Sequence, residues 1–151
     1  MKVRSAHIED VSQIAAIIAH HASLGLMLPR STGAISAALH SYIVVDEGGQ
    51  IVGCGGLDVY SSDIAEIYGL ATASQGSPAG TGTAMVETLI AQARRSGIGR
   101  VFALTLAPDF FSRLGFRTVA HTELLLKIWK DCIACPKYGN CDEIAMVLQL
   151  D

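Results

Sequence analysis

The chain has 151 residues, half of them hydrophobic and 17% charged, a balance that supports one globular domain with a sizeable core and excludes a disordered tail. A net charge of -3, with 11 Lys and Arg that form no run, argues against an electrostatic grip on nucleic acid. Apolar stretches such as 15–19 fall far short of the roughly 20 residues that span a bilayer, and residues 1–10 carry Glu9 and Asp10 in place of an apolar signal region. We therefore expect a cytoplasmic protein whose four cysteines stay reduced.

Residues 2–5 read as a short edge strand, and the next segment sets Val11, Ile14, Ala15, Ile18 and Ala22 on one helical stripe, with Glu9 and Asp10 suited to its first turn. After a turn-like stretch at 25–29, Ser31 can cap a second helix with apolar positions Ile35, Ala38, Leu39 and Tyr42, weakened by Gly33. Residues 41–45 and 50–59 form a hairpin around Asp46-Glu47-Gly48-Gly49, and 64–71 adds a third strand to the same sheet. A glycine-rich loop at 74–82 leads into the clearest helix, 82–95, on which Val86, Leu89, Ile90 and Ala93 recur at helical spacing and Gly97 stands at the C-cap. Residues 100–105 read as a buried strand, 108–114 as a short helix, and 116–120 and 143–150 as strands. With no repeat or linker, residues 1–151 are one α/β domain: a mixed, mostly antiparallel sheet flanked by helices.

The strand, glycine loop and helix over 64–93 place Gly80 and Gly82 just ahead of a helix start. The first helical amides lack intrahelical acceptors, so such a start offers N–H donors and partial positive charge to an anion such as a pyrophosphate. Neither a Walker A lysine nor a G-x-G-x-x-G is present, and two glycines in a tight turn remain an alternative explanation.

This order of elements resembles the GCN5-related N-acetyltransferases (GNAT) across nearly the whole chain. The family's Q/R-x-x-G-x-G/A signature, whose amides hold the pyrophosphate of acetyl-CoA, aligns with Ser77-Pro78-Ala79-Gly80-Thr81-Gly82, between "EIYGLAT" at 66–72 and "TGTAMVETLIAQARRSG" at 81–97. Gly80 and Gly82 match, whereas Ser77 and Pro78 replace the usual Arg-Gly, and Pro78 donates no N–H. The segments "LMLPRS" (26–31), "IVGCGGL" (51–57), "IGRVFALTLAPDFFSRLGF" (98–116) and "LLLKIWKDCIACPKYGNCDEIAMVL" (124–148) are similar to the N-acetylglutamate synthase branch. That resemblance implies transfer of acetyl from acetyl-CoA, as cosubstrate, to the α-amine of L-glutamate, the opening reaction of arginine biosynthesis. It implies amides of Leu70, Thr72, Ala79, Gly80, Thr81, Gly82 and Thr83 on the cofactor, with the Thr81 and Thr83 hydroxyls adding donors.

Acetyl transfer needs an unprotonated amine, so a base is required. Glu66 lies among Ile64, Ile67 and Leu70, an apolar setting that disfavours an ionised carboxylate, and it matches the proton-taking position of the branch; pairing with an arginine or facing solvent is the alternative. Thr105 occupies a site where related synthases carry a hydroxyl, able to hydrogen-bond the sulfur or the tetrahedral intermediate. The tyrosine that many such enzymes use to reprotonate the thiolate is Phe111 here. For the acceptor's carboxylates the resemblance implies Arg30 beside Ser31, with Lys127 and Lys130 as further cations, while Tyr68 stands where relatives often have arginine.

Cys132, Cys135 and Cys141 follow a C-x2-C-x5-C spacing that would need Cys54, His121 or Asp142 to complete a zinc site; we expect reduced thiols and no metal. The five histidines lack ligand spacing and read as surface or helix-face residues. The expected partners are a small-molecule amine or amino acid, with neither nucleic acid nor membrane, and a homodimer stays open. Rival readings are the same chemistry on another amine, or a CoA-sensing module without catalysis.

Overall fold

A computed structural model describes residues 1–124, 135 and 142–150. Seven strands form one sheet in the order β1-β2-β3-β4-β5-β7-β6, antiparallel at every junction except the parallel β4–β5 pair. The strands are β1 (Lys2–Ser5), β2 (Tyr42–Glu47), β3 (Gln50–Val59), β4 (Ile64–Thr72), β5 (Arg100–Thr105), β6 (Arg117–Val119) and β7 (Ile144–Gln149); the helices are α1 (Val11–Ser23), α2 (Thr32–Ala37), α3 (Thr81–Arg95) and α4 (Pro108–Arg113). The mixed, mostly antiparallel sheet with flanking helices is the architecture the sequence implied.

Alternation along the central strands sends side chains to two cores. On one side Val45, Val52, Leu57, Ala65, Ile67 and Val101 pack against Met85, Val86, Leu89, Ile90 and Ala93 of α3. On the other, Tyr42, Val44, Ile51, Cys54 and Ala71 pack against Val11, Ile14, Ile17 and Ile18 of α1 and Ile35 of α2. Both faces being covered explains why β3 reads as a nearly continuous apolar run.

Several local expectations change. Tyr42 opens β2 and is buried, because α2 stops at Ala37 and a 3-10 turn, Leu39–Ser41, turns the chain into the sheet. Ser31 does cap α2, its Oγ accepting the Ala34 N–H at 3.0 Å. Glu9 and Asp10 belong to a 3-10 turn, Ile8–Asp10, ahead of α1. Asp10 is turned inward, where Arg4 of β1 grips it with two bonds of 2.8 and 3.1 Å and reaches Asp46 of β2 at 3.2 Å. Asp46 and Glu47 extend β2, so the hairpin turn narrows to Gly48 and Gly49. The helix expected at 82 starts at Thr81, and the strand expected over 116–120 shrinks to Arg117–Val119.

Candidate active site

The parallel strands β4 and β5 pair only at Ile64↔Arg100, Ala65↔Val101 and Glu66↔Phe102, although β4 runs on to Thr72 and β5 to Thr105. Beyond Glu66 they separate, and β5 continues its ladder with β7 through Thr105↔Ile144. A wedge therefore opens inside the sheet with Glu66 at its vertex.

The β4 side of this wedge carries main-chain groups. Ala73 N–H donates to the Val52 carbonyl at 2.8 Å, which makes Gly53↔Thr72 a non-hydrogen-bonded pair. The N–H and C=O of Thr72 consequently point away from β3, toward the wedge, and by the same alternation so do those of Leu70. The register between β3 and β4 slips between Cys54 and Gly56, where β4 spends an extra residue at Gly69 with φ +62°. A bulge therefore lies beside Leu70, and glycine supplies its left-handed backbone.

At the wedge's open end sits the loop into α3. Gly80, at φ +87°, is the N-cap, and the first intrahelical bond runs from Ala84 N–H to the Gly80 carbonyl at 3.0 Å. Among the described residues the amides of Ala79, Gly80, Gly82 and Thr83 meet no acceptor, so they can serve an anion. Thr81 departs from the expectation: it is buried, and both its N–H (3.3 Å) and its hydroxyl (2.6 Å) donate to the Pro78 carbonyl. Pro78 thus acts as the acceptor that closes the turn, and Thr81 is removed from the set of anion donors. Ser77 Oγ donates to the Ala73 carbonyl at 3.1 Å, bracing the loop.

Glu66 is 5% exposed, and the Tyr60 hydroxyl donates to its Oε1 at 2.9 Å. Asp58 is its direct cross-strand partner and shares its face. Two residues along β4, Tyr68 stands on that same face. The Arg30 guanidinium lies 4.8 Å from the centre of the Tyr68 ring, a cation–π contact, and Tyr42 meets the ring edge-on at 5.3 Å. Ser41 gives its one proton to the Ala38 carbonyl at 2.7 Å, so in the 2.5 Å contact between the hydroxyls Tyr68 is the donor. Structure thus brings Glu66, Tyr68, Arg30 and Ser41 to one face, while the Ser31 Oγ is engaged in capping α2.

The perch of Tyr68 depends on Gly56. A Cβ there would fall 2.6 Å from Cε1 and 2.9 Å from Cζ of the ring, and Tyr42 and Ser41 hold the ring from other sides. We expect Gly56→Ala to cost about 1–3 kcal/mol of overpacking, read as a lower urea midpoint at constant slope, and to loosen Arg30 with it.

Thr105 is buried at the end of β5, where its Oγ1 accepts the Ala107 N–H at 2.8 Å, leaving the hydroxyl proton able to donate. Phe111 packs in the core against Phe116 and Phe110 and has no proton to give. Lys127, Lys130, Cys132 and Cys141 lie outside the described residues. Cys54 is fully buried in β3, burial pushes its thiol up to about 12, and the Nε2 of His121 is bonded to the Glu143 carbonyl at 2.8 Å. Among the described residues no three ligand-type side chains gather.

Tyr60, Ser41 and His21 escaped the reading of the sequence. Tyr60 was accessible to it, since a tight hairpin at 61–63 places Tyr60 beside Ile64, and its N–H bonds the Ile64 carbonyl at 3.0 Å. Ser41 and His21 act through contacts distant in sequence, His21 Nε2 donating to the Thr72 carbonyl at 2.9 Å.

Comparison with known proteins agrees with this geometry. The model of the acetyltransferase (GNAT) family matches residues 15–116. An uncharacterized N-acetyltransferase of Chlorobaculum tepidum is 38% identical over 98% of the chain and 96% of its own length. An amino-acid acetyltransferase of Neisseria meningitidis is 32% identical over 82% of the chain, which spans only 29% of that relative. The structure of N-acetylglutamate synthase from Neisseria gonorrhoeae, complexed with coenzyme A and N-acetyl-glutamate, superimposes with a TM-score of 0.86 at 26% identity, over 99% of the chain and 35% of that protein.

Proposed function

The chain belongs to the GNAT family of acetyltransferases, and on that premise we propose that it moves the acetyl group of acetyl-CoA to the α-amine of L-glutamate. The observation that carries the transfer is the burial of Glu66 at the vertex of the β4–β5 wedge, with a phenol donating to it. Acetyl-CoA supplies an activated thioester. Amides of Leu70 and Thr72 orient its arm along β4, and those of Ala79, Gly80, Gly82 and Thr83 bind its diphosphate. Glu66 takes the proton of the acceptor ammonium, directly or through water, so that a neutral amine attacks. The Thr105 hydroxyl faces the departing sulfur, and holding the two reactants in line provides most of the acceleration. Arg30 receives an acceptor carboxylate, with Lys127 and Lys130 as further candidates.

Glutamate as the acceptor is supported by the similarity to amino-acid acetyltransferases and by Arg30 above the site face. Tyr68 favours a second reading, the same chemistry on another small amine or amino acid, because a phenol anchored to Ser41 stands where relatives often place a cation. We expect free thiol to be released from acetyl-CoA with L-glutamate well above the buffer blank. Release only with a different amine would select the second reading, and none with any amine would leave a CoA-binding module without catalysis.

A further inference from the structure

The last peptide of β4 is tied at both ends. Its N–H, from Ala73, donates to the Val52 carbonyl at 2.8 Å, and its carbonyl, from Thr72, accepts the Nε2–H of His21 at 2.9 Å. The first tie belongs to the sheet ladder. The second comes from the final turn of α1, a helix that otherwise serves the opposite core. One residue further on, the Ala73 carbonyl takes the Ser77 hydroxyl at 3.1 Å, so the loop toward Gly80 leaves from a peptide whose plane is fixed. His21 is half-buried, and because its partner is a carbonyl, which can only accept, Nε2 is the donor.

We propose that His21 is a positioning residue for the cofactor site. By holding the Thr72 carbonyl it sets both the direction in which Thr72 presents its main chain to the wedge and the point at which the anion-binding loop departs. The inference rests on the reading of that wedge and loop as the acetyl-CoA site. It assigns no proton transfer and no substrate contact to His21.

His20 provides the control. Its ring lies 5.9 Å from that of His21, edge to face, and it lines a cavity of about 220 Å³ that Thr72 and Ala73 also border, yet it makes no hydrogen bond to the Thr72 carbonyl. Binding of CoA, followed by calorimetry, should weaken about tenfold in His21→Ala, the size of one lost hydrogen bond. It should stay within about threefold of the parent in His21→Gln, whose amide can donate to the same carbonyl, and be unaltered in His20→Ala. In thiol-release assays His21→Ala should raise KM for acetyl-CoA while kcat holds, a split that general loss of folded protein does not produce.

Hydrogen exchange across 70–80 tests the tie without any ligand: it should accelerate in His21→Ala and be restored in His21→Gln. Unchanged exchange, unchanged CoA affinity in His21→Ala, or failure of glutamine to rescue would overturn the proposal. If the parent protein binds no CoA, the cofactor reading itself falls and this role of His21 falls with it, whereas altered exchange in His21→Ala would still identify the tie as structural.

Discussion

Replacing Glu66 with glutamine is expected to lower turnover by about 10²- to 10³-fold, the usual contribution of a positioned base. The swap keeps shape and leaves an oxygen for the Tyr60 hydroxyl, so KM for acetyl-CoA should move by less than about threefold. The pH dependence gives the sign. Below its own pKa the acceptor is an ammonium and depends on an enzymic base; as the pH climbs toward that pKa, a growing share arrives already neutral. The deficit of Glu66→Gln should therefore be greatest at low pH and shrink toward alkaline pH. A profile parallel to that of the parent enzyme, measured by thiol release from pH 6 to 10, would remove Glu66 as the base.

The second large effect is structural. Asp10 is 5% exposed and accepts two bonds from Arg4 as well as the His7 N–H at 2.7 Å. Asp10→Ala would strand that amide and leave the arginine with Asp46 as its one carboxylate and the Ser5 carbonyl, at a cost of about 3 kcal/mol in urea-induced unfolding. Hydrogen bonds from the Arg4 guanidinium, and then the His7 amide, hold the Asp10 carboxyl below the ordinary carboxylate range against the opposing effect of burial. A carboxylate whose folded pKa is depressed stabilises above its unfolded value near 4 and loses that contribution as pH falls through the lower folded value. The parent protein should therefore lose stability below about pH 4, and Asp10→Ala should show a flatter acid limb. Equal acid slopes would show that the ion pair contributes nothing.

Much of the scaffold was legible because it is written in local periodicity. The apolar stripe of α3, the β2–β3 hairpin and the glycine ahead of α3 each follow from spacing and turn chemistry within a short window. Glu66 could be singled out for the same reason, as a carboxylate in an apolar strand. What stayed hidden depends on residues far apart in sequence. Asp10 looked like a helix-start residue until β1 and β2 brought Arg4 and Asp46 around it. Thr81 looked like an anion donor until the turn offered it the Pro78 carbonyl. Tyr42 fits a helical stripe and a strand equally well, and burial beneath Tyr68 decided for the strand. Tyr68 itself was noticed as a departure, but its anchoring by Ser41 and Gly56 emerged only from the packed sheet.

The two halves of the cleft differ in what they ask of evolution. On the proposed reading, recognition along Leu70 and Thr72 would be offered by peptide groups, which every residue except proline possesses, so codons there could drift while the nucleotide partner is retained. Arg30, Tyr68 and Gly56, by contrast, meet through side chains or the lack of one, and on the same reading a single exchange there would alter the menu of acceptors. Such a division lets lineages inherit the donor and rewrite the recipient.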